Sequence, residues 1–167
     1  MSDVLVIRTA EAEDINAIGY LAYQIWPSAY KDILNFEQLH YMLQYFYSPE
    51  SLREQMLKKH HVFLIAETEE EEPIGFASFS KIQQGVFKLH KLYVLPGLQN
   101  MNVGRSLLEC VLEECALEGG EKLQLNVNRN NKAISFYEKL GFAIVGEENV
   151  DIGNGHVQED FIMEKSL

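Results

Sequence analysis

Basic residues are scarce in this chain: 14 lysines and arginines stand against 25 aspartates and glutamates, so the formal charge is 14 − 25 = −11. A surface that binds nucleic acid by neutralising phosphates needs the opposite balance, so that class is excluded and a cationic partner is favoured. Cysteine is scarce too. Cys110 and Cys115 lie five apart in a segment that reads as one helix. That spacing fits neither a zinc pair nor a CxxC redox pair, so both read as core-filling thiols in a reducing compartment, and no metal site is expected. No apolar run approaches the ~20 residues of a membrane span, and the opening MSDVLVIRTA lacks a basic segment followed by a long apolar one. The expectation is a cytoplasmic protein with no membrane partner.

What is present is enough apolar chain to build a core. With 167 residues, of which 47% are apolar, the chain reads as a single domain over 1–167 that needs no disulfide or metal to fold. Val4 to Arg8 reads as a strand, and the acidic Glu11 to Asp14 suits the start of a helix. Ile15, Ile18, Ala22, Ile25 and Ala29 form the buried stripe of that helix, with Pro27 expected to break or kink it near Trp26. A second stripe runs from Phe36 to Phe46, and Ser48-Pro49-Glu50 reads as the cap of a third helix.

After residue 60 the pattern turns to strands: His61 to Glu67, Pro73 to Ile82 and Val86 to Leu95. The polar run Glu69 to Glu72 reads as a solvated turn between the first two. A helix follows from Gly104, then a strand through Leu123, Leu125 and Val127, then a helix bearing Ala133, Phe136, Tyr137 and Leu140. Two closing strands meet at Gly153-Asn154-Gly155, a hairpin signal. The order implies an α/β protein with a mixed sheet covered by helices.

The most informative stretch runs from His90 to Arg105: a strand, a tight loop and a helix start. Free backbone N–H groups at the positive end of a helix dipole form a ready seat for a pyrophosphate. The familiar nucleotide loops do not fit, since GxxxxGK[ST] is absent and a GxGxxG would need three glycines where only Gly104 stands. On this reading alone an ordinary strand-to-helix connection remains open beside the anion site.

Leu92-Tyr93-Val94, then Gln99 and Gly104-Arg105, then Asn131 to Phe142 (NKAISFYEKLGF) resemble the GNAT superfamily of acetyltransferases. The resemblance implies a mainly antiparallel central sheet flanked by helices, and acetyl-CoA as donor with no metal. By position it implies that the backbone of Leu92, Tyr93 and Val94 pairs with the pantetheine arm. Likewise Gln99, Asn100, Met101, Asn102, Val103, Gly104 and Arg105 would hold the pyrophosphate, and Asn131 or Asn130 the arm. Tyr137 matches the tyrosine that protonates the departing thiolate, though it also fits a core stripe. Asn102 replaces the first glycine of the family's loop, and asparagine is among the residues that tolerate positive φ.

The acceptor end is read from the first helices. Trp26 and Tyr30 are the substrate-binding candidates, since aromatic rings can cage an ammonium, although at helical spacing they also fit a core. His90, with an ordinary pKa near 6.5 and the strand parity of Leu92 and Val94, is the candidate base. The run from Trp26 to Tyr30 with Tyr41 to Ser48 also resembles, more loosely, bacterial polyamine acetyltransferases of the PaiA type. Together with the charge this makes a polyamine or other small cationic amine the expected acceptor. The alternatives are a protein lysine or N-terminus, and a non-catalytic acyl-CoA-binding module. A homodimer is left open.

Overall fold

In the computed structural model, which describes residues 5–98 and 101–167, the chain begins with β1 (Val6–Thr9), a short 3-10 turn (Ala12–Asp14), α1 (Ile15–Ala29), α2 (Phe36–Tyr47) and α3 (Pro49–Leu57). Then come β2 (Val62–Glu67), β3 (Pro73–Gln83), β4 (Val86–Val94), α4 (Val103–Leu117), β5 (Lys122–Asn128), α5 (Ala133–Lys139), β6 (Ala143–Gly153) and β7 (His156–Ser166). The strands form one sheet in the order β1-β2-β3-β4-β5-β7-β6. β4 and β5 pair in parallel and the other neighbours antiparallel. This is the helix-flanked, mainly antiparallel sheet that the sequence implied.

The local signals act where they stand. Asn35 Oδ1 accepts from Gln38 N at 2.8 Å while Asn35 N donates to Gln38 Oε1 at 3.1 Å, a capping box that starts α2. Ser48 Oγ accepts from Ser51 N at 3.2 Å ahead of Pro49 and starts α3. The β6–β7 turn has φ of 89°, 53° and 76° at Gly153, Asn154 and Gly155, which only glycine and asparagine adopt readily.

Pro27 does not end α1, contrary to the sequence expectation. The helix continues to Ala29, because buried Ile25 and Trp26 hold that turn against the sheet and offset the bond that Pro27 cannot donate.

One face of the sheet is covered by α1, α2 and α3, whose core includes Ile18, Leu43, Leu52, Phe63, Ile65 and Phe76. The other face is covered by α4 and α5 over Ala77, Phe79, Leu89, Leu107, Leu125 and Tyr137.

Arg8 ties the edge strand down: its guanidinium donates to both Asp14 oxygens at 2.9 Å and to Glu67 at 3.0 and 3.2 Å. Chiefly through that hydrogen bond, Arg8 lowers the Asp14 pKa. A lowered carboxylate pKa contributes stability above the ordinary aspartate value near 3.9, and that stability is lost as pH falls through the folded-state value. Arg8→Met is therefore expected to lower the melting temperature at pH 7, and the gap to the parent is expected to narrow as pH falls below about 4. The pair is partly exposed, so the effect is about 1 kcal/mol or less.

Candidate active site

β4 and β5 pair only from Val86↔Lys122 to Leu89↔Leu125. Beyond that point β4 runs on to Val94 against β3, and β5 to Asn128 against β7. The two strands therefore diverge, and the β5-facing edge of β4 from His90 to Val94 is an open strand edge in the middle of the sheet. Such an edge accepts an extended partner by main-chain hydrogen bonds. A cavity of about 870 Å³ lies at this divergence. Asn131, Ala133 and Tyr137 line it on one side of the sheet, and Trp26, Tyr30, Tyr47 and Gln55 on the other.

α4 begins at the far end of the same edge. Asn102 precedes it with φ 52° and ψ 36°, the left-handed conformation that its place in the loop called for. The first intrahelical bond is Ser106 N to Asn102 O, so the N–H groups of Val103, Gly104 and Arg105 lack helix partners by geometry. A Cβ on Gly104 would lie 3.7 Å from Val94 and from Phe136, which places this helix end beside the last residue of β4. The arrangement suits a pyrophosphate at α4 with an arm running along Leu92 to Val94 into the cavity.

The expected residues separate accordingly. Leu92, Tyr93, Val94, His90, Asn131, Tyr137, Trp26 and Tyr30 all line the cavity. Met101, Asn102, Val103, Gly104 and Arg105 stand at the start of α4, Arg105 exposed and paired with Glu109 at 2.9 Å. Gln99 and Asn100 lie outside the described residues. Asn131 Oδ1 accepts from Ala133 N at 2.8 Å one residue ahead of the α5 N-cap, Lys132, while Asn130 is exposed and donates its N–H to Asn128 Oδ1.

His90 departs from the expected parity. The β3–β4 register shifts between Ser78↔Lys91 and Phe79↔Leu89, so His90 is the extra residue of a bulge. Its ring turns to the α1–α3 face, hydrogen-bonded to Ser80 Oγ at 2.7 Å and stacked on His61 at 3.9 Å. Leu92 and Val94 pack on the α4 face instead. Burial, with His61 and Lys91 nearby, pushes the His90 pKa down to about 2, so the ring is neutral and a weak base.

A model of the acetyltransferase (GNAT) domain matches residues 32–165, most of the chain. The chain belongs to the GNAT acetyltransferases. As such it is an N-acetyltransferase that uses acetyl-CoA. It is 29% identical over 160 residues to the N-acetyltransferase YuaI of Bacillus subtilis, covering 93% of this chain and 90% of that one. It is 27% identical over 163 residues to a spermidine N(1)-acetyltransferase of Thermoplasma acidophilum, covering 95% of both. The crystal structure of the PaiA N-acetyltransferase from Thermoplasma acidophilum in complex with coenzyme A superposes with a TM-score of 0.83 at 28% identity, over 98% of this chain and 99% of that one. The looser PaiA resemblance read from the first helices is thus met by a structural neighbour of the same length.

Against this family background, the expected tyrosines are joined in the cavity by Asp160, Lys91 and Gln55, which sequence reasoning did not pick out. Tyr30 and Tyr93 share a hydroxyl–hydroxyl bond of 2.8 Å, and burial raises the Tyr30 pKa to about 12. Burial likewise raises the Tyr137 pKa, so its hydroxyl keeps its proton throughout the physiological range. Asp160 is buried and accepts from Asn126 Nδ2 at 3.3 Å, and burial is the main reason its pKa is raised. Lys91 is buried in the wall on the α1–α3 face and donates to Gln55 Oε1 at 2.7 Å. Alternation along Leu92, Tyr93 and Val94 already placed Lys91 on the face opposite Leu92. Nothing local said that this face is an interior. Among the described residues no group of three or more histidine, cysteine or acidic side chains is arranged to hold a metal, and no helix is long and apolar enough to cross a membrane.

Proposed function

We propose that the enzyme transfers the acetyl group of acetyl-CoA to the primary amine of a small molecule, with donor and acceptor reaching the cavity from opposite faces of the sheet. The observation that carries this reading is the divergence of β4 and β5, with Tyr137 at one wall and Asp160 with Tyr30 at the other. The N–H groups of the α4 start seat the pyrophosphate. The open edge from Leu92 to Val94 holds the pantetheine arm, and Asn131, whose Oδ1 is taken by Ala133 N, keeps its Nδ2 donor for it. An N–H of the same edge faces the oxygen that gains charge as the amine attacks the thioester. Tyr137 then gives its proton to the departing thiolate sulfur.

The incoming ammonium must lose a proton before it attacks. Asp160, whose carboxylate is made more basic by burial, is better suited to take it than neutral His90. Burial of the acid at one wall and of the carboxylate at the other keeps the two proton transfers apart.

A polyamine acceptor is a second reading, supported by the spermidine N(1)-acetyltransferase relative, by the charge of −11 and by Asp151 and Asp160 in the cavity wall. Thiol release from acetyl-CoA tests both, with simple amines, amino acids, spermidine, spermine and a lysine peptide as acceptors. Turnover with small amines and none with the peptide is the expected result. Turnover with the peptide alone, or coenzyme binding without any turnover, overturns the proposal.

A further inference from the structure

The aromatic cluster of the first helices already holds a cation, and it is the protein's own. Lys91 Nζ lies 5.8, 5.5 and 5.6 Å from the ring centroids of Phe46, Tyr47 and Phe63. Cation–π attraction of this kind offsets part of the cost of burying an ammonium. It also uses up the rings that would otherwise cage a substrate's cation. Lys91 is 7% exposed, and its hydrogen bond to Gln55 leaves two of its three N–H donors without a partner among the described residues.

Two further buried groups on the same wall have no hydrogen-bond partner among the described residues: Trp26 Nε1, on a residue 3% exposed, and Tyr47 OH, on a residue 2% exposed. The Trp26 and Tyr47 rings are 5.6 Å apart, and all three residues line the cavity. Each can donate: the indole and the ammonium have no acceptor capacity at all. Tyr47 OH can accept from the neighbouring indole, a contact that works against the burial-driven rise of its pKa, but its own O–H and two of the Lys91 donors still have no oxygen to meet among the described residues. Burial and Lys59 press the Lys91 pKa down to about 7, the response of a cation that has no counter-ion beside it.

We infer that Lys91, Trp26 Nε1 and Tyr47 OH form a subsite for a carboxylate of the acceptor, so that the preferred acceptor is an amine that also bears an acid group, an amino acid or ω-amino acid. This rests on the acetyl-transfer reading and adds the acceptor's second pole to it. Asp160 and Tyr30 meet the amine, and the donor wall meets the acid. Tyr93 joins the two poles, bonded to Tyr30 and packed on Trp26 at 5.6 Å, so the acceptor is short.

The test compares paired acceptors that differ only in the carboxylate, alanine with ethylamine and 4-aminobutyrate with propylamine, with spermidine included. The parent enzyme is expected to favour the acid of a pair in kcat/KM. Lys91→Met is expected to lower the acid-to-amine ratio at least about tenfold, the size of a lost charged hydrogen bond. Trp26→Phe, which keeps a ring and deletes the donor, lowers the same ratio by a smaller factor. Unchanged ratios in both variants, or a parent enzyme that prefers spermidine to every acid, overturn the inference. Calorimetric titration of both acids in the presence of coenzyme A separates the two readings. Binding that weakens in Lys91→Met supports the subsite even if no thiol is released, an outcome that sinks only the transfer reading. Failure of either acid to bind the parent protein sinks the subsite.

Discussion

Tyr137→Phe is expected to lower kcat by about 100-fold or more while leaving the affinity for acetyl-CoA within about twofold, since general-acid assistance contributes 10²–10⁴ in rate. Tyr137 sits on α5 with its ring against Phe136 and Phe142 at 5.3 and 5.6 Å. Phenylalanine keeps those contacts, and only the hydroxyl in the cavity is deleted. Burial raises the Tyr137 pKa, so the protonated form persists to higher pH than for a free tyrosine, whose pKa is near 10. The activity of the parent enzyme should therefore show no fall on the alkaline side from loss of this proton below about pH 10. Steady-state kinetics with coenzyme A titrated separately give both readouts. Equal loss of rate and of coenzyme affinity would show instead that the hydroxyl only helps to shape the donor site.

Phe76→Ala is expected to cost about 3–5 kcal/mol, as for other buried phenylalanines. Phe76 is fully buried at the centre of β3, opposite Ile65 of β2 and Tyr93 of β4. Its ring meets Tyr47 edge-on at 5.8 Å and Tyr93 at the same distance. A domain of ordinary stability has only about 5–15 kcal/mol in total, so the variant should unfold at much lower urea. Because the lost ring supports Tyr47 and Tyr93 from beneath, the acceptor KM should rise more than that of acetyl-CoA in whatever fraction stays folded. An unfolding free energy lowered by less than about 1 kcal/mol in urea titration would mean that the α1–α3 core closes over the gap.

Much of the backbone of the proposed donor site was legible because its signals are local. A strand, a positive-φ residue and a helix start within about 15 positions are set by backbone preferences, and Asn102 adopts the conformation its place required. Tyr137 was legible through the motif around it. His90 was misplaced because period-two alternation assumes an unbroken strand, and the bulge opposite Ser78 and Phe79 inserts a residue that no local rule announces. Pro27 was read as breaking or kinking the helix, and the packing of Ile25 and Trp26 carries the helix past it without a break.

By itself the sequence determined the elements, their order, the turn chemistry and the segment proposed to receive the donor, since each depends on residues close along the chain. The tertiary structure alone decided which side chains share the wall of the proposed acceptor site. Lys91 and Gln55 are 36 positions apart and Tyr30 and Tyr93 are 63 apart. Whether a lysine in a strand is solvated or buried, and whether an aromatic ring cages a ligand or the protein's own ammonium, follows from which helices close over that face of the sheet.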